Sequence, residues 1–266
     1  MKNKGLIITL IILLVIVIAL LIGFLVLCLT GNINFKGGFR IGMKKGDQLI
    51  YNEVYEIQTV KMIDINQDAG DIIFENTEEN NIRVEVYGEK KSDAEVSLIS
   101  NELKIKFNNG NNGWHFFNFG GVSGDIKIYI PSTYAGNIKI KNDAGDIRLA
   151  NLENSNMDID CDAGNIEIDK AKDAVVKCDA GNLEIGTILN KCNIKVNSGN
   201  VHIEKVKLKE DSKIKVDMGN VSIDEAEDIY VDAEVDLGKC NINRNNRNAE
   251  VALKIHCDLG DINVGK

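Results

Sequence analysis

Asp162-Ala-Gly-Asn-Ile-Glu-Ile168 and Asp179-Ala-Gly-Asn-Leu-Glu-Ile185 are two copies of one short unit, 17 residues apart. The pattern is an Asp or Asn, a small or apolar residue, Gly, a polar residue that is usually Asp or Asn, and then apolar residues in alternation. It also stands at Asp68–Phe74, Asp143–Leu149, Asn197–Ile203, Asp217–Ile223, Asp236–Ile242 and Asp258–Val264, with looser copies around Gly124 and Gly136. From Gly145 onward the marker glycines are Gly164, Gly181, Gly199, Gly219, Gly238 and Gly260, spaced 17 to 22 residues apart. Self-similarity at that period, carried by short apolar runs, is the mark of a stack of repeated coils.

Side-chain direction follows from the alternation. Two and four residues after the glycine stand Ile166 and Ile168, Leu183 and Ile185, Val201 and Ile203, or Val221 and Ile223, with mostly polar residues between them. Period two with one apolar face is a half-buried strand. The same phase runs backwards through Ile159, Cys161 and Ala163, and through Ile214, Val216 and Met218. On that count the inward spacing steps from two to three across the glycine, as between Met218 and Val221, which is what a corner requires. Glycine gives the positive φ that such a corner needs, and the flanking Asp or Asn can bond the local backbone. Gly70, Gly145, Gly164, Gly181, Gly199, Gly219, Gly238 and Gly260 are therefore expected as structural corners. The fold expected is all-β: a single-domain β-solenoid with a period of about 19 residues, its coils stacked in sequence order. An array of hairpins turning at Asp-x-Gly-Asn is the competing reading.

Ahead of the repeats, residues 6–30 carry no charge. At ~1.5 Å per residue such a run crosses a ~30 Å hydrocarbon layer. It exceeds the apolar core of a signal peptide, and no Ala-x-Ala follows it. One transmembrane helix at 1–30 is expected, then a tether at 31–52 and the solenoid at 53–266. Lys2 and Lys4 on one side, and Lys36, Arg40, Lys44 and Lys45 on the other, leave the charge rule undecided. The expectation is a single-pass protein of the cell membrane with its C-terminal domain extracytoplasmic.

The formal charge of −9 argues against nucleic acid as a partner. Of the six Cys, Cys161, Cys178, Cys192, Cys240 and Cys257 are expected inward as buried thiols, and none forms a Cys-x-x-Cys pair. Asp158, Asp160 and Asp162 share an outward face, but no base, Arg clamp or metal cluster accompanies them. No catalytic residue, cofactor site or metal site is expected. Calcium on the Asp/Asn corner ladder is weighed and set aside, because the Gly-Gly-x-Gly-x-Asp repeat of calcium solenoids is absent and Lys239 interrupts the ladder. The insertion at 108–119 breaks the period and concentrates Trp114, Phe116, Phe117 and Phe119 on a Gly/Asn background. It reads as an aromatic lid over an open coil or as a contact loop.

An apolar anchor, a strand pair around Asp68-Ala-Gly-Asp71, a long insertion, and Ile126-Lys-Ile-Tyr-Ile-Pro131 leading into Ala-Gly-Asn/Asp units resemble the bacterial β-solenoid domains called toastrack or adhesin-like domains, LiaG-type proteins among them. The resemblance spans residue 50 to the C-terminus. It implies an envelope protein linked to stress-response membrane systems, and it brings no catalytic residues. The function expected is a membrane-anchored, non-catalytic binding or sensing scaffold with an envelope-protein or cell-wall partner. The alternatives are a surface adhesion module for wall or carbohydrate and, behind it, a polysaccharide-active enzyme.

Overall fold

The computed structural model describes residues 44–45, 47–108, 122–243 and 245–265. The expected membrane helix and Trp114, Phe116, Phe117 and Phe119 lie outside them. Among the described residues no helix is long and apolar enough to cross a membrane.

Alternating apolar residues put strands where they were expected, and the strands pair in parallel, in register, from coil to coil. Ile166–Ala180 lies between Ile147–Ala163 and Leu183–Ser198. One inward column reads Ile140, Ile159, Val176, Ile194, Ile214, Ile255 and Ala233. Beyond the corner a second reads Phe74, Leu149, Ile168, Ile185, Ile203, Ile223, Val264 and Ile242. Most of these side chains are fully buried, each contributing roughly 1.5–3 kcal/mol of transfer free energy. Parallel pairing excludes the hairpin array, whose neighbouring strands would run antiparallel.

The chain is already part of the sheet from Gln48, because Gln48–Glu56 pairs antiparallel with Asn81–Gly88. Asn81–Gly88 pairs antiparallel with Ile126–Ile130, and Ala94–Ile99 does so with Glu102–Phe107. Glu102–Phe107 and Ile126–Ile130 pair in parallel with Met62–Gln67 and Ile72–Asn76, and the antiparallel Ala94–Ile99 and Asn81–Gly88 cover their outer edges, which would otherwise be open for pairing.

At the other end, the coils do not stack in sequence order. Ser212–Met218 pairs with Ala252–Leu259, which in turn pairs with Tyr230–Leu237. After the corner, Val221–Ala226 pairs with Ile262–Val264 and that strand with Cys240–Ile242. The last coil in sequence is thus inserted between the two that precede it. Burial accounts for the choice. Leu253, Ile255, Cys257, Ile262 and Val264 are all buried, whereas Ala233, Val235 and Ile242 are half-buried and Cys240 is exposed. The more apolar coil takes the sandwiched position, and the poorer one takes the end. Asn245 secures that end coil, accepting from the Val231 amide at 2.9 Å and donating to the Val231 carbonyl at 2.8 Å.

Two further sequence expectations are corrected here. Cys240 is not an inward buried thiol, because its coil has no further coil stacked on it. From Gly145 onward, the residue before each corner glycine does not continue the inward phase. Inward side chains run from Cys161 to Ile166, and Met218 stands out in solvent. The strand has begun to turn at that position, so its side chain leaves the corner instead of entering the core.

Candidate functional site

The corner is one continuous structure from end to end. Gly70, Gly145, Gly164, Gly181, Gly199, Gly219, Gly260 and Gly238 hold φ between +131° and +156°. Each glycine N–H before the end coil donates to the carbonyl of the residue before the next corner: Gly164 to Ala180 at 3.0 Å, Gly199 to Met218 and Gly219 to Leu259 at 2.9 Å, Gly260 to Leu237 at 3.0 Å. The residues after the glycines form a second line. Asn165 N–H donates to Asp146 Oδ1 at 3.0 Å, Asn200 to Asn182 and Asn220 to Asn200 at 3.0 Å, Asp261 to Asn220 at 2.9 Å, and Lys239 to Asp261 at 2.8 Å. Each side-chain oxygen thus satisfies the backbone donor of the next coil. Lys239 does not interrupt this ladder but ends it. It occupies the last coil, where no later amide needs an acceptor, a meaning hidden until the coil order is known.

Inside the corner runs Gln67, Asn142, Cys161, Cys178, Val196, Val216, Cys257 and Val235. The thiols lie beneath corner carbonyls, with Cys257 Sγ 3.2 Å from the Gly219 oxygen and Cys178 Sγ 3.8 Å from that of Gly164. Burial pushes the Cys192 thiol up to about 12. The hydrogen bond with Cys178, and then burial, raise Cys161. Cys161 and Cys192 are thus packing groups, poor in thiolate at neutral pH.

Outside the corner the column before the glycines reads Ala144, Ala163, Ala180, Ser198, Met218, Leu259 and Leu237. It changes from methyl groups to long apolar side chains over the last three coils. Met218 is 54% exposed, Leu259 49% and Leu237 68%. Adjacent coils lie ~4.8 Å apart, so the three side chains form one uninterrupted apolar strip at the end of the stack. Sequence reading missed it because it turned Met218 inward and set Leu237 beside it in place of Leu259.

Elsewhere the outward faces carry alternating charge. Arg148 lies 3.7 Å from Asp146 and 3.5 Å from Glu167, and Lys177 lies 3.1 Å from Asp160 and 3.6 Å from Asp179. Asp160, one of the three outward carboxylates considered for catalysis, is thus held by Lys177. Glu167 and Glu184 are register partners on exposed strand positions. These groups form solvated ion-pair ladders, whose members are each worth about 0–1 kcal/mol.

Residues 60–266 match the family model described as Toastrack DUF4097. No curated relative matches the chain. Two solved structures bearing the name "putative adhesin" are similar to it. The one from Parabacteroides distasonis ATCC 8503 is 14% identical, with 83% of this chain and 99% of that chain covered and a TM-score of 0.48. The one from Bacteroides fragilis NCTC 9343 is 13% identical, with 83% and 100% covered and a TM-score of 0.45.

Proposed function

The chain belongs to the Toastrack DUF4097 family, and on that premise we propose that it is a membrane-anchored binding scaffold of the cell envelope. Its domain faces out of the cytoplasm, and it performs no catalysis. The observation that carries this reading is the strip Met218–Leu259–Leu237, three large apolar side chains in adjacent register on a rigid stack. Contiguous exposed apolar surface beside polar residues is characteristic of a contact for another macromolecule. The aromatic insertion joins the proposal as a second contact element. Its flank Phe107 accepts at its carbonyl from the Asp68 amide, and Gly124 donates to Ala69, so it springs from the same corner line as the strip. The uncharged run at 6–30 supplies the anchor.

The test uses full-length protein in intact cells. A photoreactive residue at Leu259 should give a discrete cross-linked product, one at the outward Glu184 should not, and Leu237→Ser with Met218→Ser should abolish the first. A product dissolved by wall-digesting enzymes would assign the strip to carbohydrate adhesion instead of an envelope protein. Equal products from Leu259 and Glu184 would remove the strip from the account. Protease added to protoplasts should cut the domain; survival while a known outer protein is cut would reverse the orientation.

A further inference from the structure

Besides the apolar strip, the end of the stack carries a compact polar cluster one residue away from it. His256 and Glu234 are register partners on neighbouring strands. Asp258 and Asp236 lie two positions further along those strands, on the same outward face, flanked by the register pairs Val235–Cys257 and Leu237–Leu259. The four side chains thus stand at the corners of a square on the outward face of the two final coils. His256 Nε2 lies 2.7 Å from Asp258 Oδ1, while Nδ1 faces Glu234 Oε2 at 3.7 Å. Donor atoms of Asp236, His256 and Asp258 all fall within 4.8 Å of one another.

The rest of the column sets this square apart. In successive coils the position of His256 and Glu234 is held by Lys141, Asp160, Lys177, Lys195 and Lys215. Three of these lysines neutralise their neighbours, with Lys141 3.2 Å from Asp143, Lys177 3.1 Å from Asp160, and Lys215 3.0 Å from Asp217 and 3.5 Å from Asp258. The two final coils replace lysine with an imidazole and a further carboxylate. Three carboxylates then surround one histidine, and the cations nearby are Lys215, shared with Asp217, and Lys254, opposite Asp232.

We propose that Asp236, His256 and Asp258 form a binding site for a divalent first-row metal ion of the zinc class. His256 Nε2 and one oxygen from each aspartate supply three protein ligands, and water completes the shell. Glu234, 3.7 Å from Nδ1, would close on the Nδ1–H when the ion binds and fix the tautomer and ring orientation, as carboxylates do for metal-bound imidazoles. One imidazole with carboxylates suits zinc, cobalt or manganese; calcium takes oxygen donors. Because the ligands come from both of the two final coils of the stack, the ion would clamp the end coil to the one beneath it.

Full-length protein in detergent micelles is titrated with zinc against a chromophoric chelator, and with cobalt followed by visible absorption. One zinc is expected per chain, with cobalt spectra lacking a thiolate charge-transfer band, which excludes the cysteines. His256→Gln and Asp236→Asn should each weaken binding at least tenfold, and His202→Gln, on another coil, should not. Retention of wild-type affinity by either ligand variant, or no binding by the wild type at a hundredfold excess of zinc, overturns the site. Unchanged far-ultraviolet circular dichroism in each variant separates loss of ligand from loss of fold.

Discussion

Replacing Gly199 by alanine tests the corner more sharply than any core truncation. Gly199 has φ of +149°, and an added Cβ would sit 1.8 Å from the Gly181 carbonyl oxygen and 2.6 Å from its carbon. Both are backbone atoms of the adjacent corner, so no side chain can swing away. The unfavourable φ costs about 1–3 kcal/mol. Relieving the overlap requires the two coils to part at the corner, which weakens the bond from Gly181 N–H to Ser198 and that from Asn200 N–H to Asn182. At roughly 1 kcal/mol for each of those bonds, the total is about 3–5 kcal/mol. For a domain of this size that lowers Tm by ~10 °C. Gly238 offers an internal comparison. Its Cβ would meet the Gly260 oxygen at 1.8 Å, but its coil is the last and can fray locally, so Gly238→Ala should cost less. Urea unfolding of Gly199→Ala, Gly238→Ala and the exposed Glu184→Ala measures all three. A Gly199→Ala domain within ~0.5 kcal/mol of wild type would refute the shared corner.

Other consequences are equally direct. Among the five domain cysteines, Cys240 alone is exposed, so it should react with maleimide well before the others in the native state, and Cys240→Ser should remove that fast phase; rapid labelling of Cys192 would contradict the burial. Tyr87 donates to Glu85 at 2.8 Å, and this bond, followed by burial, pushes the phenol up to about 12 from its ordinary 10.0. The folded state holds this proton more tightly than the unfolded chain, so its stabilisation is complete below pH 10 and lost as pH rises towards 12. Tyr87→Phe should flatten the stability profile over that window, and an unchanged slope would exclude the linkage. Asn200→Ala removes the acceptor for the Asn220 amide and should cost about 1–2 kcal/mol by urea unfolding; a silent change would show that water replaces it.

The repeat made the corner glycines, the inward Ile and Val columns and the parallel stacking legible, because each rests on a local pattern of period two around a fixed glycine. Pairings such as Cys161 with Cys178 and Asn165 with Asn182 follow from near-identical units placed side by side. What stayed hidden is non-local. Asp236–Ile242 and Asp258–Val264 carry the same signature, so the pattern cannot say which coil is sandwiched. That choice depends on the summed burial of Leu253, Ile255, Cys257, Ile262 and Val264 against that of the weaker coil. Met218 was placed inward because alternation was extended through a residue where the backbone already turns. The apolar strip, with Met218 outward and Leu259 between it and Leu237, depends on both points; the square does not, because the coils of Glu234 and His256 are neighbours in either order. Alternation alone puts His256, Lys215 and Glu234 on one outward ladder, but not the order that sets His256 between the other two.

The inverted coil order is the claim on which the end surface rests, and engineered disulfides test it most directly. Ser222 is the register partner of Asn263, and Asn263 of Asn241. Ser222 and Asn241 are therefore two coils apart, ~9.6 Å, beyond the Cα separation of ~4.4–6.8 Å that a disulfide spans. In a Cys240→Ser background, the account predicts that Ser222→Cys with Asn263→Cys, and Asn241→Cys with Asn263→Cys, oxidise readily to intramolecular bonds while Ser222→Cys with Asn241→Cys does not. Ready closure of the 222–241 pair, with failure of the 222–263 pair, would restore sequence-order stacking and contradict it.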